Sequence, residues 1–131
     1  MTYTLTKELE TGNPVIDGEH RQLFDAVNRF LEACGTGKGR AGIEPTVKFL
    51  LDYVDKHFAH EEELQKKSGY PNLAAHRAFH ESYKRDLRLI VGGIPAGGPG
   101  IADVGAVNRQ IGVLLAHIKT EDKRLGAYLK T

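Results

Sequence analysis

Apolar residues recur along this chain at spacings of three and four, with charged residues between them. That is the period of helices with one buried face. Four such stripes follow one another. The first runs through Leu23, Phe24, Val27, Phe30 and Leu31, and is predicted to begin near Asp17, whose carboxylate suits an N-cap. The second, through Val47, Leu50, Leu51, Val54, Phe58 and Leu64, is predicted to begin near Pro45, a residue suited to a first helical turn. The third follows Asn72 as N-cap and carries Leu73, Phe79, Tyr83, Leu87, Ile90 and Val91. The fourth is predicted from about Asp103 and carries Val104, Val107, Ile111, Leu114 and Ile118. A short last segment holds Leu125, Tyr128 and Leu129. The glycine-rich stretches Gly35–Gly42 and Gly92–Gly100, and the break Ser68-Gly69-Tyr70-Pro71, read as loops. No stretch sustains the alternation of a strand. The expectation is an all-α chain: one domain over residues 1–131, an up-down-up-down four-helix bundle with an N-terminal arm ahead of Asp17 and a short C-terminal helix.

Composition narrows the function classes. At 131 residues the chain is long enough for one substantial core. A formal charge of +1, with both signs interspersed, gives no general attraction to nucleic acid or lipid headgroups. No run approaches the ~18 apolar residues of a membrane span. The N-terminal MTYTLTKELETG has no apolar core of a secretory signal. The single cysteine, Cys34, cannot form an intrachain disulfide and fits a reducing compartment. A cytoplasmic monomer is expected.

The informative residues are polar ones on the apolar stripes. His20 precedes Leu23 and Val27 at helical spacing; His57 and Glu61 lie between Val54 and Leu64; His76 and His80 lie between Leu73 and Tyr83; His117 neighbours Leu114 and Ile118, and Asp122 follows five residues later. A lone inward histidine is usually a hydrogen-bonded core residue. Five inward histidines with two carboxylates, and no Lys or Arg on the same faces, need a different explanation, because an unpaired buried carboxylate is very costly. A polyvalent cation at the bundle centre satisfies all of them. His57-x-x-x-Glu61 and His76-x-x-x-His80 each place two donors on one helix face, at Cβ separations of ~6 Å. Seven donors exceed the four of a tetrahedral zinc. Carboxylate bridges favour iron or manganese over copper, so a dinuclear iron site fits best.

These residues give the chain a resemblance to the hemerythrin family, in particular to single-domain bacterial members. It is carried by Ile16-Asp17-Gly18-Glu19-His20 with Leu23-Phe24 and Asn28, by His57-Phe58-Ala59-His60-Glu61-Glu62-Glu63-Leu64, by Gly69-Tyr70-Pro71, by His76-Arg77-Ala78-Phe79-His80, and by His117-Ile118-Lys119-Thr120-Glu121-Asp122. The resemblance implies that one iron takes His76, His80 and His117, and that the other takes His20 and His57. Glu61 and Asp122 would bridge both, with an oxo or hydroxo group as third bridge. The first iron is then closed and the second keeps one position open, where dioxygen binds reversibly. Leu114 matches a family position near the gas, and Leu23, Phe24 and Val54 are candidate pocket walls. Plain core packing explains these four equally well.

Some positions depart from the family pattern. The chain has no tryptophan; Tyr3 stands in the arm and Leu114-Leu115 fill a later region where family members commonly carry one. Gln65 takes a place often held by methionine. His60 falls on the flank of the second helix and reads as a surface histidine; His60-Glu61 begins like a metalloprotease HExxH, but Leu64 ends that match. A dioxygen carrier, store or donor to an oxygen-using enzyme is favoured over an enzyme such as a peroxidase or scavenger, because no inward acid-base residue is left once the ligands are assigned. A sensor would need a signalling domain, and a structural zinc bundle would leave the inward carboxylates unexplained.

Overall fold

The structure, a computed structural model, describes residues 6–95 and 98–130. Tyr3 lies outside them. Among the described residues every regular element is helical, in the four-helix architecture that the stripes predict. A 3₁₀ turn at Lys7–Leu9 precedes α1 (Pro14–Gly35), α2 (Gly39–Ser68), α3 (Leu73–Gly92) and α4 (Ile101–His117). A π-helical turn, Ile118–Asp122, then leads without a break into the short α5 (Lys123–Leu129).

The helix starts differ from expectation in instructive ways. Asn13, not Asp17, caps α1: its Oδ1 accepts from the N–H groups of Val15 and Ile16 at 3.0 and 3.1 Å, and Pro14 takes the first helical position. The Asp17 carboxylate is buried and turns back to the arm, accepting from Thr11 N–H, the Thr11 hydroxyl and Gly12 N–H at 2.8, 2.9 and 3.1 Å. It ties the arm to α1. The second helix starts at Gly39, so Pro45 lies inside it. Pro45 removes one backbone bond, yet the helix persists because Ile43 and Val47 bury their side chains on its inner face. The fourth starts at Gly100–Ile101, and the Asp103 carboxylate accepts from Gly100 N–H at 2.7 Å. Only the third begins where its sequence signal placed it, after Asn72. At the end of α2, Gly69 adopts φ +69°, and Tyr70 N–H reaches back to Gln65 O at 2.9 Å. That left-handed C-cap turns the chain sharply into α3.

Helix α2 packs against α1, α3 and α4, and α4 also meets α3. Phe30, Ile43, Val47, Leu50, Leu87, Val107 and Ile111 fill one end of the bundle. Toward the other end the interior turns polar, and Phe58, Leu114 and Ile118 border that region. The arm and α5 close this end: a Cβ on Gly126 would meet Thr11 Cα at 2.9 Å, so only glycine lets the two backbones approach this closely. The Tyr128 hydroxyl donates to Ser68 O at 2.9 Å, joining α5 to the α2–α3 turn. None of the helices among the described residues is long and apolar enough to cross a membrane.

Candidate metal centre

All seven residues singled out from the sequence meet at one place, and all are buried. His20 comes from α1, His57 and Glu61 from α2, His76 and His80 from α3, His117 from the end of α4, and Asp122 from the π turn. The π turn accounts for the last pair. On an α-helix, five residues advance about 500°, which would leave His117 and Asp122 roughly 140° apart. A π turn closes its backbone bonds between residues five apart and stacks them on one face. Both side chains therefore point inward, with His117 Nε2 at 3.2 Å from Asp122 Oδ1. The Thr120 hydroxyl donates to Ala116 O at 2.8 Å, serving a carbonyl at the point where the helical bonding changes register.

The two carboxylates each divide their oxygens between two groups of imidazoles. Glu61 Oε1 lies 3.2 Å from His80 Nε2 and 3.5 Å from His76 Nε2, while Oε2 lies 3.5 Å from His57 Nε2 and 3.8 Å from His20 Nε2. Asp122 Oδ1 lies 3.0 Å from His76 Nε2, and Oδ2 lies 3.1 Å from His20 Nε2. Two sets of four donors result, each within 4.8 Å: Glu61, His76, His80 and His117, and His20, His57, Glu61 and Asp122. Ligands at right angles on one ion at ~2.1 Å stand about 3 Å apart, the spacing found here.

Hydrogen bonding within the cluster does not satisfy it. Both Glu61 oxygens and His80 Nε2 are buried without a hydrogen-bond partner, although they lie close together. Donors that are near but misaligned for one another suit a shared cation between them. The ion pairs of Glu61 and Asp122 run only to imidazoles. In the metal-free protein burial works against charging His57, but Glu61, with Glu19 and Asp122, outweighs it and pushes the imidazole up to about 10. His76 is likewise opposed by burial but raised to about 9 by Asp122 and Glu61. Burial opposes ionisation of the carboxylates too, yet the imidazoles hold Glu61 well below the ordinary range, and they hold Asp122 low despite repulsion from Glu61. Two protons thus balance two carboxylates, a role that cations could take over. The donor set therefore fits metal.

On His57, His76 and His80 the ring nitrogens facing away from the centre have partners that the sequence reading missed, whereas the buried His20 Nδ1 has none. His57 Nδ1 lies 3.0 Å from Glu19 Oε1, and His60 Nδ1 lies 2.7 Å from the other oxygen of the same carboxylate. His60 is therefore exposed, as expected, but it is also tied to the buried His57 through Glu19. His80 Nδ1 lies 2.9 Å from Glu62 Oε2, and Arg77 Nε donates to Glu62 Oε1 at 3.0 Å. His76 Nδ1 meets the Gln65 side-chain amide at 2.8 Å. An imidazole that binds metal through Nε2 carries its proton on Nδ1 and needs an acceptor there. The buried Gln65 Oε1 has no partner, so turning the amide over supplies that acceptor. The acidic residues beside the candidate ligands, Glu19 before His20 and Glu62 after Glu61, were visible in the sequence, but only helix packing shows that they meet His57 and His80. Aromatic rings brace three imidazoles: Phe58 stacks on His80 at 3.8 Å, Phe79 on His117 at 3.9 Å, and Tyr53 on His57 at 4.9 Å. Leu23, Phe24, Val54 and Leu114 are all buried in the same core cluster, consistent with both packing and pocket roles.

The family model for the hemerythrin HHE cation binding domain matches residues 11–129. The chain belongs to the hemerythrin family. Its similarity extends to bacteriohemerythrins: 38% identity over 76 residues with that of Stenotrophomonas maltophilia, covering 58% of this chain and 49% of the relative. The Pseudomonas aeruginosa protein is 37% identical over 78 residues, covering 60% and 50%. That of Methylococcus capsulatus is 38% identical over 81 residues, covering 62% and 60%. This hemerythrin-family chain thus spans about half to three fifths of the length of these relatives. No solved structure gives a significant match.

Proposed function

We propose that this hemerythrin-family protein binds dioxygen reversibly at a pair of non-haem irons bridged by Glu61 and Asp122. The observation that carries the reading is the unequal division of imidazoles around carboxylates that face both ways. His76, His80 and His117 stand on one side, and His20 and His57 on the other. With both carboxylates shared, the first side would offer five protein donors and the second four. When bound, the iron pair supplies the electrons and the one open coordination position.

The chain's own residues do the rest. Glu61 and Asp122 hold the two sides at a common spacing through opposite oxygens. Glu19 orients His57 and Glu62 orients His80, which fixes each imidazole with Nε2 inward. Leu23, Phe24, Val54 and Leu114, all buried in the core cluster, would keep water from the centre and slow irreversible oxidation. Contrary to expectation, an inward acid-base group does remain, the Tyr53 hydroxyl. Burial and the nearby carboxylates push its pKa well up, so it is a poor proton donor for turnover. Binding is therefore favoured over catalysis.

The test is metal analysis followed by spectroscopy. The purified protein is expected to hold about two irons per chain. After reduction it should colour in air and bleach under argon through several cycles. One zinc per chain, or a single irreversible oxidation with sustained peroxide turnover, would overturn the proposal.

A further inference from the structure

Three imidazoles of the centre lie against aromatic rings, and the three rings are not alike. Phe58 and Phe79 brace His80 and His117 with interplanar angles of 3° each. Tyr53 braces His57 at 18° from one turn earlier on α2, and it stacks in turn on Phe49. Phenylalanine thus does the stacking on the side with three histidines. On the side with two, the ring carries a hydroxyl. That hydroxyl is buried and makes no hydrogen bond to the protein, whereas the buried Tyr83 hydroxyl donates to Gln110 O at 2.9 Å. A phenol is placed in an interior only at a cost unless its O–H finds a partner. Stacking alone does not require the oxygen, because phenylalanine would stack equally well. The stack on His57 is what places the ring on the His20 and His57 side, and Glu19, which backs His57, is among the charges that the phenol feels.

We propose that Tyr53 is a ligand-selecting residue of the centre: its O–H donates a hydrogen bond to the small molecule or anion bound beside His57. The inference rests on the reading that this side keeps an open coordination position. It deepens that reading by favouring ligands with a lone pair to spare next to the bound atom. Dioxygen and small linear anions meet that condition; carbon monoxide, a weak acceptor, does so poorly.

The experiment compares wild type with Tyr53→Phe, both loaded with iron and oxidised, with azide as the probe. Phenylalanine keeps the stack on His57, so iron content is expected to stay at about two per chain in both proteins. Azide affinity, read from its charge-transfer absorption, should weaken about five- to tenfold in Tyr53→Phe, the loss of one hydrogen bond. In wild type, the ultraviolet resonance Raman bands that report phenol hydrogen bonding should shift on azide addition; the metal-free protein should show no such shift. Metal-free Tyr53→Phe should melt no lower than wild type, since it loses a hydroxyl without a protein partner. Equal azide affinities with full iron in both proteins, or a wild-type phenol signal that ignores azide, would overturn the assignment of Tyr53 and leave the iron centre standing. Failure of both proteins to take up two irons, or to bind azide at all, would instead remove the open position and the inference with it.

Discussion

Raising the pH should destabilise the metal-free protein and spare the loaded one. Without metal, His57 titrates near 10 and His76 near 9, against an ordinary 6.5. A folded-state pKa above the unfolded value means stability that is fully present below about pH 6.5 and lost as pH rises through 9 to 10. For His57 alone the shift corresponds to something on the order of 5 kcal/mol, and for His76 about 3. The two share Glu61 and Asp122, so they do not add, and a combined loss on the order of 5 kcal/mol is expected. Burial of the ion pairs makes this largely insensitive to salt. The carboxylates act in the opposite direction: their depressed values give stability above the ordinary carboxylate range that is lost as pH falls. Denaturant midpoints of the chelated protein from pH 5 to 10 should therefore peak near pH 5 to 7 and fall toward 10. Iron holds the imidazoles deprotonated, so the loaded protein should show no alkaline decline over that range. Loading near pH 7 should also release at least two protons per chain into weakly buffered solution, one from each imidazolium, with any proton lost by a bridging water added to them. A metal-free protein equally stable at pH 7 and 10, or loading without proton release, would refute the charge balance assigned to the cluster.

Other perturbations act on separate parts of the design. Asp122→Ala removes a bridge from the π turn, and iron content should fall below one per chain by metal analysis. Glu19→Gln and Glu62→Gln should each weaken metal affinity about 10- to 100-fold in chelator competition, because the Nδ1 proton of His57 or His80 loses a charged acceptor. Leu114→Ala empties part of a fully packed wall; a loss of about 2–5 kcal/mol in denaturant unfolding and faster irreversible oxidation in air are expected. Gly126→Ala forces its Cβ against Thr11 Cα, so the arm should lift and become sensitive to proteolysis, while iron content stays near that of wild type.

The candidate ligands were legible in the sequence because a helix converts spacing into direction. His57 with Glu61, and His76 with His80, share a face at i and i+4 whatever surrounds them, and both pairs interrupt apolar stripes that must face inward. Helix boundaries were less legible. Asp17 and Pro45 carry strong local signals for a helix start, and both were overridden: Asp17 by its bonds to the arm, Pro45 by burial of Ile43 and Val47 on the same helix. His60 illustrates the limit of reading a face. Its exposure follows from its position on α2, but its link to His57 runs through Glu19 on another helix.

From the chain alone come the helical class, the inward histidines and carboxylates, and their fitness for metal, since periodicity and the cost of buried charge are properties of order along the sequence. Only the packed structure decides which oxygen faces which imidazole, which acid backs which ring, that a π turn brings Asp122 onto the face of His117, and that the phenol of Tyr53 is buried beside His57. Those relations hold between residues on different helices or depend on a change in helical winding. They are set by how faces interlock in three dimensions, and no spacing within a single stripe encodes them.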